Sequence, residues 1–202
     1  NGTYNNSDVR FTENKNQWNT NILYKAQLDG GIMFLEKDGF TYNFYDKETL
    51  RKNHGRNKDA RSVNTTIKCH AFRTRFLGAL PTATTISKNP TPDYCNYFIG
   101  KENKWASGVK NFREVNYKNL YEKIDLQLLG FQNSVKYNFI VAPLGNTNDI
   151  KINYEGLDQI FLEKGTLHLK TSINEIIEQS PYAYQWIGSK KVEVPCEFVL
   201  EN

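Results

Sequence analysis

No stretch of this 202-residue chain comes near the ~20 consecutive apolar residues a membrane-spanning helix needs. Signal-peptide features are missing too. The chain opens NGTYNNSDVR, polar from its first residue, which fits either a cytosolic protein or one already processed. Cysteine is sparse, with only Cys69, Cys95 and Cys196 present. An odd count excludes a fully paired disulfide framework and leaves one bridge plus a buried thiol, or three buried thiols. None stands in a C-x-x-C pair or at zinc spacing from a histidine. His54, His70 and His168 lie far apart, with no HExxH or H-x-H pattern, so no metal ligand and no cofactor is expected. G-x-S-x-G, P-loop and G-x-G-x-x-G patterns are all absent, and the serine of GFQNSVK lacks a nucleophile-elbow context.

Nor is charge of one sign concentrated. The 26 basic and 22 acidic groups give a net charge of +4 spread along the chain. The densest basic region, KETLRKNHGRNKDAR (Lys47 to Arg61), also carries Glu48 and Asp59 and reads as a solvated loop, so nucleic acid is not an expected partner. Convincing helices are scarce: DKETLRKN suits a turn or two after Asp46 as cap, and VNYKNLYEKI a short helical turn.

What is present is two-residue periodicity. In SVKYNFIV, Val135, Tyr137, Phe139 and Val141 alternate with the residues between them. Ile150, Ile152 and Tyr154 do the same, as do Ile124, Leu126 and Leu128, and Leu167 and Leu169. Such alternation marks strands with one buried face. NEIIEQSP fits either element and reads better as strand. Glycine turns join the runs: Asp38-Gly39, where both central residues tolerate positive φ, then Gly165 and Gly188-Ser189. SKNPTPDYCNYFIGKENKWASGVKNFREV (Ser87 to Val115), with its prolines and glycines, reads as an irregular rim or crossover. Successive antiparallel hairpins without amphipathic helices predict an all-β, antiparallel two-sheet β-sandwich with long rim loops and at most one or two short helices. It forms one domain over 1–202, with 1–10 as an extended N-terminal segment and 47–66 as a polar loop. A chain of this size buries roughly 70% of its unfolded surface, enough for a core without a metal or disulfide.

Candidate chemistry is thin. Asp125 lies opposite Ile124 and Leu126 and faces outward. Glu175 and Glu178, three apart, point to opposite faces of a strand and make no carboxylate pair. NTND and PTPD each offer a calcium ion one carboxylate, and an Asx turn explains both. No catalytic residue is assigned. Aromatics are the richest class, at 12 Tyr, 12 Phe and 3 Trp. Phe34, Phe40, Phe44, Phe76, Phe139 and Phe198 are expected in the core. Trp18, Tyr97 and Trp105 sit in polar, loop-like surroundings and are the candidates for binding a partner or ligand; the alternative for each is burial, the usual fate of Trp.

The blocks FTENKNQW, GGIMFLEKDGFTYNFYD, CNYFIGKENKWASGVKNFREVNYKNLYEKIDL, VKYNFIVAPL, INYEG and IIEQSPYAYQ occur in one order from Phe11 to Leu200. Together they resemble the domain of unknown function at the N-terminus of large Bacteroidetes surface proteins, where it precedes propeller-type repeats, PKD-like domains and a type IX secretion signal. VAPLGNTNDI departs from that pattern, because relatives read closer to P-G-A with an acid and Leu144 breaks the turn. The resemblance implies an all-β fold and a secreted, outer-membrane cell-surface location, and it carries over no catalytic residues. The end at Glu201-Asn202 leads us to expect a fragment of something longer.

These readings converge on a non-catalytic exported module of an adhesin-like or gliding-associated protein. Its partners are expected to be other protein domains of the same or a neighbouring surface protein. Alternatives are a carbohydrate-binding module with glycan partners, then a glycan-active hydrolase or lyase.

Overall fold

Alternation at Ile124, Leu126 and Leu128 produces a strand whose inward side chains are sealed from water, none more than 1% exposed. Each such burial stabilises the fold by roughly 1.5–3 kcal/mol. The computed structural model describes residues 8–49 and 66–201. Its strands are β1 (Phe11–Glu13), β2 (Tyr24–Leu28), β3 (Gly31–Leu35), β4 (Gly39–Tyr45), β5 (Cys69–Phe76), β6 (Thr84–Tyr97), β7 (Ala106–Tyr121) and β8 (Ile124–Phe131). They continue with β9 (Ser134–Val141), β10 (Ile152–Glu155), β11 (Gln159–Glu163), β12 (Thr166–Lys170), β13 (Glu175–Glu178), β14 (Ala183–Ile187) and β15 (Lys190–Val194). Among the described residues helix is limited to short pieces: residues 47–49 are helical beside the Asp46 carboxylate, which accepts the Glu48 amide at 3.0 Å, and 3-10 turns span Glu102–Lys104 and Thr147–Asp149.

The all-β, antiparallel character holds, but the strands form three sheets rather than two packed layers. A ten-stranded sheet runs β10-β5-β4-β3-β2-β1-β7-β8-β9, with β6 also paired to β7; β11-β12-β13 and β14-β15 are separate. The reason is the length of β7. One side of it pairs with β6, while the other takes β1 at Asn111 and Phe112 and β8 from Glu114 to Tyr121. Both wings therefore leave the same side of β7 and curl towards each other as a half-barrel. One core fills the concavity: Met33, Leu35, Phe40 and Phe76 from one wing meet Ile124, Leu126 and Leu128 from the other.

The segment from Ser87 to Val115 is not an irregular rim. It contains most of the longest hairpin, β6–β7. Pro90 and Pro92 are accommodated because β6 is an edge strand, and register shifts at Pro90/Tyr94 and Cys95/Tyr97 absorb the irregularity. VNYKNLYEKI likewise contains no helix. Val115, Tyr117, Leu120 and Tyr121 are all buried, which the end of β7 achieves with a bulge at Asn119 in left-handed backbone. NEIIEQSP supplies β13, as expected.

Among the rings expected inside, Phe40, Phe44 and Phe76 are buried and Phe139 packs half-buried against the core. Phe34 turns to the outer face between inward Met33 and Leu35, and Phe198 lies half-buried beyond the last strand. The turns around Gly165 and Gly188 adopt positive φ, but Gly39 does not. It is glycine because a Cβ there would run into the Thr74 carbonyl of β5.

Candidate functional site

The polar loop 14–19 is built around Asn14, whose carboxamide oxygen accepts the amides of Asn16 and Trp18. That turn directs Trp18 against Tyr97 at the end of β6, edge-on with ring centroids 5.5 Å apart. Lys25 of β2 places its ammonium 5.1 Å from the Trp18 ring and 5.8 Å from Tyr97. Burial lowers the Lys25 pKa, partly offset by Cys95. Two sequence-predicted candidates thus meet around a cation, and both rings are half-buried. Their cluster is internally satisfied, which fits packing better than display.

Trp105 lies apart from that pair. Its indole N–H donates to the Gly100 carbonyl at 3.3 Å, and its ring meets Phe98 edge-on at 5.6 Å, at the solvent-facing tip of the β6–β7 hairpin. The two groups are tied by Lys104, which donates to the Asn16 side chain and the Trp18 carbonyl, and by Asn16, which donates to the Asn103 carbonyl.

A second aromatic group escaped the sequence reading. Alternation in PYAYQWIG puts Tyr184 and Trp186 on one face of β14, with Tyr182 just before the strand against Tyr184, and β14 pairs only with β15 among the described residues. Tyr182 is 60% and Trp186 64% exposed. Tyr182 and Tyr184 are tilted by 35°, Tyr184 and Trp186 stand at 89°, and the Lys191 ammonium sits 3.9 Å from the Tyr184 ring centre. The period-two signal that marks core strands elsewhere marks an exposed ladder here.

The buried polar chemistry centres on Glu178. Leu167 pairs with Glu178 and Leu169 with Ile176, so one face of β11-β12-β13 presents Leu167, Leu169, Ile176 and Glu178 together. The Glu178 carboxylate accepts the Tyr137 hydroxyl of β9 at 2.5 Å and the Tyr154 hydroxyl of β10 at 3.2 Å. Burial raises the Glu178 pKa, although both phenols pull it down. Tyr137 and Tyr154 are pushed well above the usual phenol range by burial and by this carboxylate, as is Tyr42 beside them. None of the three is a base near neutral pH. Glu175 points to the opposite face and pairs with His168 at 2.8 Å, so the two carboxylates share no site.

The remaining polar clusters are structural in form. His70 Nδ1 is bonded to the Ser172 hydroxyl at 2.9 Å and accepts the Ser172 amide at 3.1 Å, while Nε2 meets the Gly156 carbonyl at 2.7 Å. This pins the β12–β13 turn to β5. Glu36 receives Arg73, Thr41 and Asn21. Burial alone would raise Glu114, but hydrogen bonds from Asn116 and Gln127, with Lys88 nearby, hold it below the ordinary carboxylate value. Asp125 faces away from the core, as expected, and Lys118 together with the Asn119 amide keeps its pKa low against partial burial. Among the described residues no three His, Cys, Asp or Glu side chains gather at metal-binding distance. His54 lies outside them. Cys69, Cys95 and Cys196 are all free thiols. An open cleft of about 380 Å³ beside β1 and β2 is lined by Glu13, Asn14, Asn16, Thr20 and Tyr24, with Glu13 the one carboxylate in its lining. Among the described residues no helix is long and apolar enough to cross a membrane.

No curated protein and no solved structure matches the chain. A family profile described as a domain of unknown function, DUF7948, matches residues 11–202, nearly the whole length, and the chain belongs to that family.

Proposed function

We propose that this domain is a non-catalytic docking module of an exported cell-surface protein, and that its β14–β15 hairpin is the element that meets another β domain. The observation that carries this reading is the hairpin itself. A two-stranded sheet is marginally stable in water on its own. Here it carries an exposed ladder, Tyr184 and Trp186 on one face with Tyr182 against Tyr184, and exposed Ile187 and Val194 on the other. Tyr and Trp dominate the energetic centres of protein interfaces, and an unpaired pair of strands offers backbone donors and acceptors that a partner's sheet edge can extend. The exported, cell-surface location rests on the family resemblance, and the free thiols supply no disulfide signature for it.

The same rings argue against the carbohydrate reading. Sugar stacking uses open, near-parallel ring faces. In this ladder neighbouring rings are tilted or perpendicular, and Lys191 covers one face of Tyr184.

The test is a photo-crosslinking amino acid at Trp186, installed in the protein on its native cell, with Lys136 as the exposed control position. The expected product is a crosslink into a β domain of the same or a neighbouring surface protein, lost when Tyr184 is replaced by Ser. Crosslinking no stronger than at Lys136, or adducts to glycan alone, overturns the proposal.

A further inference from the structure

The β6–β7 hairpin outruns the sheet that supports it. On the side of β7 opposite β6, backbone pairing with β1 stops at Asn111, so the remainder of the hairpin is braced by side chains: Glu13 accepts the Lys110 amide, Lys25 lies over Tyr97, and the polar loop 14–19 bonds the tip. The tip sequence FIGKENKW is nevertheless ordered. Gly100 turns the chain at φ 76°, the Lys104 amide bonds the Lys101 carbonyl at 2.8 Å, the Trp105 amide bonds the Glu102 carbonyl at 3.0 Å, and the Trp105 indole bonds the Gly100 carbonyl. These bonds leave Phe98 59%, Ile99 82% and Trp105 45% exposed. A loop free to collapse would bury them; this one is held with its apolar side chains outward.

The ionised groups around them are three lysines and two glutamates, a net charge of +1. Lys101 and Lys104 lie within the tip, and Lys15 reaches it through a hydrogen bond to the Gly108 carbonyl. Lys104 is bonded to the neutral Asn16 side chain and Trp18 carbonyl. Against these stand Glu102 in the tip and Glu13, which pairs with Lys15 at 3.5 Å. Three apolar side chains on one loop are too small a patch for a specific protein interface, which covers about 800 Å² per partner. They suit a bilayer surface well. Aliphatic and phenyl groups enter the acyl boundary, an indole sits at headgroup level, and lysines extend to anionic headgroups.

We propose that the β6–β7 tip is a membrane-contacting element that inserts Phe98 and Ile99 into the surface of an anionic bilayer, with Trp105 at the headgroups and Lys101 and Lys104 paired to lipid phosphate. This surface is separate from the β14–β15 hairpin and does not depend on the docking reading.

The test is co-sedimentation of the intact chain with vesicles of phosphatidylcholine alone and of phosphatidylcholine mixed with phosphatidylglycerol. The chain is expected to pellet with the mixed vesicles, less so at raised salt, and Phe98→Ser with Ile99→Ser is expected to lower that partition by about tenfold or more. Both positions are exposed, and an unchanged thermal melt verifies that the variant folds. Ile99→Trp is expected to retain binding and to add a blue-shifted emission on vesicle contact. No pelleting with either vesicle, equal pelleting with neutral ones, or a Phe98→Ser, Ile99→Ser variant that pellets like the parent overturns the proposal. So does light scattering that shows a dimer dissociated by Ile99→Ser, which would make the tip a self-contact.

Discussion

The Glu178 carboxylate and the Tyr137 hydroxyl stand 2.5 Å apart although they belong to different sheets. Tyr137 is on β9 and Tyr154 on β10, the two ends of the ten-stranded order, and neither end strand pairs with the other. One carboxylate from β13 therefore clips both ends of the curled sheet through their phenols.

Replacing Glu178 with Ala leaves two half-buried phenols without their acceptor. Each lost partner costs about 1–3 kcal/mol, and Glu178→Gln, which keeps one acceptor oxygen, is expected to lose less. Urea midpoints for the two variants check the order; equal midpoints with the parent would remove the clip from the stability of the fold.

The pH dependence follows from the same group. Burial raises the folded-state pKa of Glu178 above its unfolded value, so the folded state holds this proton more tightly. Its contribution is complete below the ordinary carboxylate pKa and is lost as pH rises through the folded value. Denaturant stability measured across that window is expected to fall less steeply with pH in Glu178→Gln than in the parent. An identical slope would contradict the assignment.

Leu144 is 91% exposed with φ 68°, a backbone region that costs an L-residue roughly 1–2 kcal/mol. Leu144→Gly is expected to stabilise the chain by about 1 kcal/mol, or roughly 2–4 °C in a thermal melt. The leucine bears the strain of this turn. A lowered melting temperature would show that Leu144 has a packing role.

Gly39→Ala drives a methyl group into the Thr74 carbonyl where β4 and β5 meet. Backbone cannot rotate away as a side chain can, so destabilisation of about 3 kcal/mol is expected. Chemical denaturation measures it, and a loss under about 1 kcal/mol would mean the strands separate cheaply.

Trp18→Ala tests whether the best sequence candidate binds or packs. It removes a half-buried ring from Tyr97 and Lys25. Expected are a loss of about 2 kcal/mol in stability and crosslinking at Trp186 that matches the parent. A stable variant with lost partner contact would restore Trp18 to the interface.

What the sequence made legible was local. Ile124, Leu126 and Leu128 declare their buried face by spacing alone, and Gly165 and Gly188 declare their turns because positive φ is a property of the residue. Relations between distant residues carried no such mark. Nothing in EIIE names Tyr137, 41 positions away, and nothing in YKAQL places Lys25 between Trp18 and Tyr97. GIMFL is apolar throughout, so its spacing alone does not tell which face turns inward, and Met33 and Leu35 occupy the core where Phe34 is equally apolar. Prolines between Ser87 and Val115 suggested a loop because an edge strand that tolerates them looks the same until its neighbour is known.

Edge strand β6 has one further implication. Fourteen residues of open strand are an invitation for one copy to knit onto the next. Pro90 and Pro92 offer no amide donor there, and the register shifts twist the far half of the rim out of line. Many copies can therefore crowd together without zipping into a shared ribbon, and that tolerance comes from the same two residues that disguised the strand as a loop.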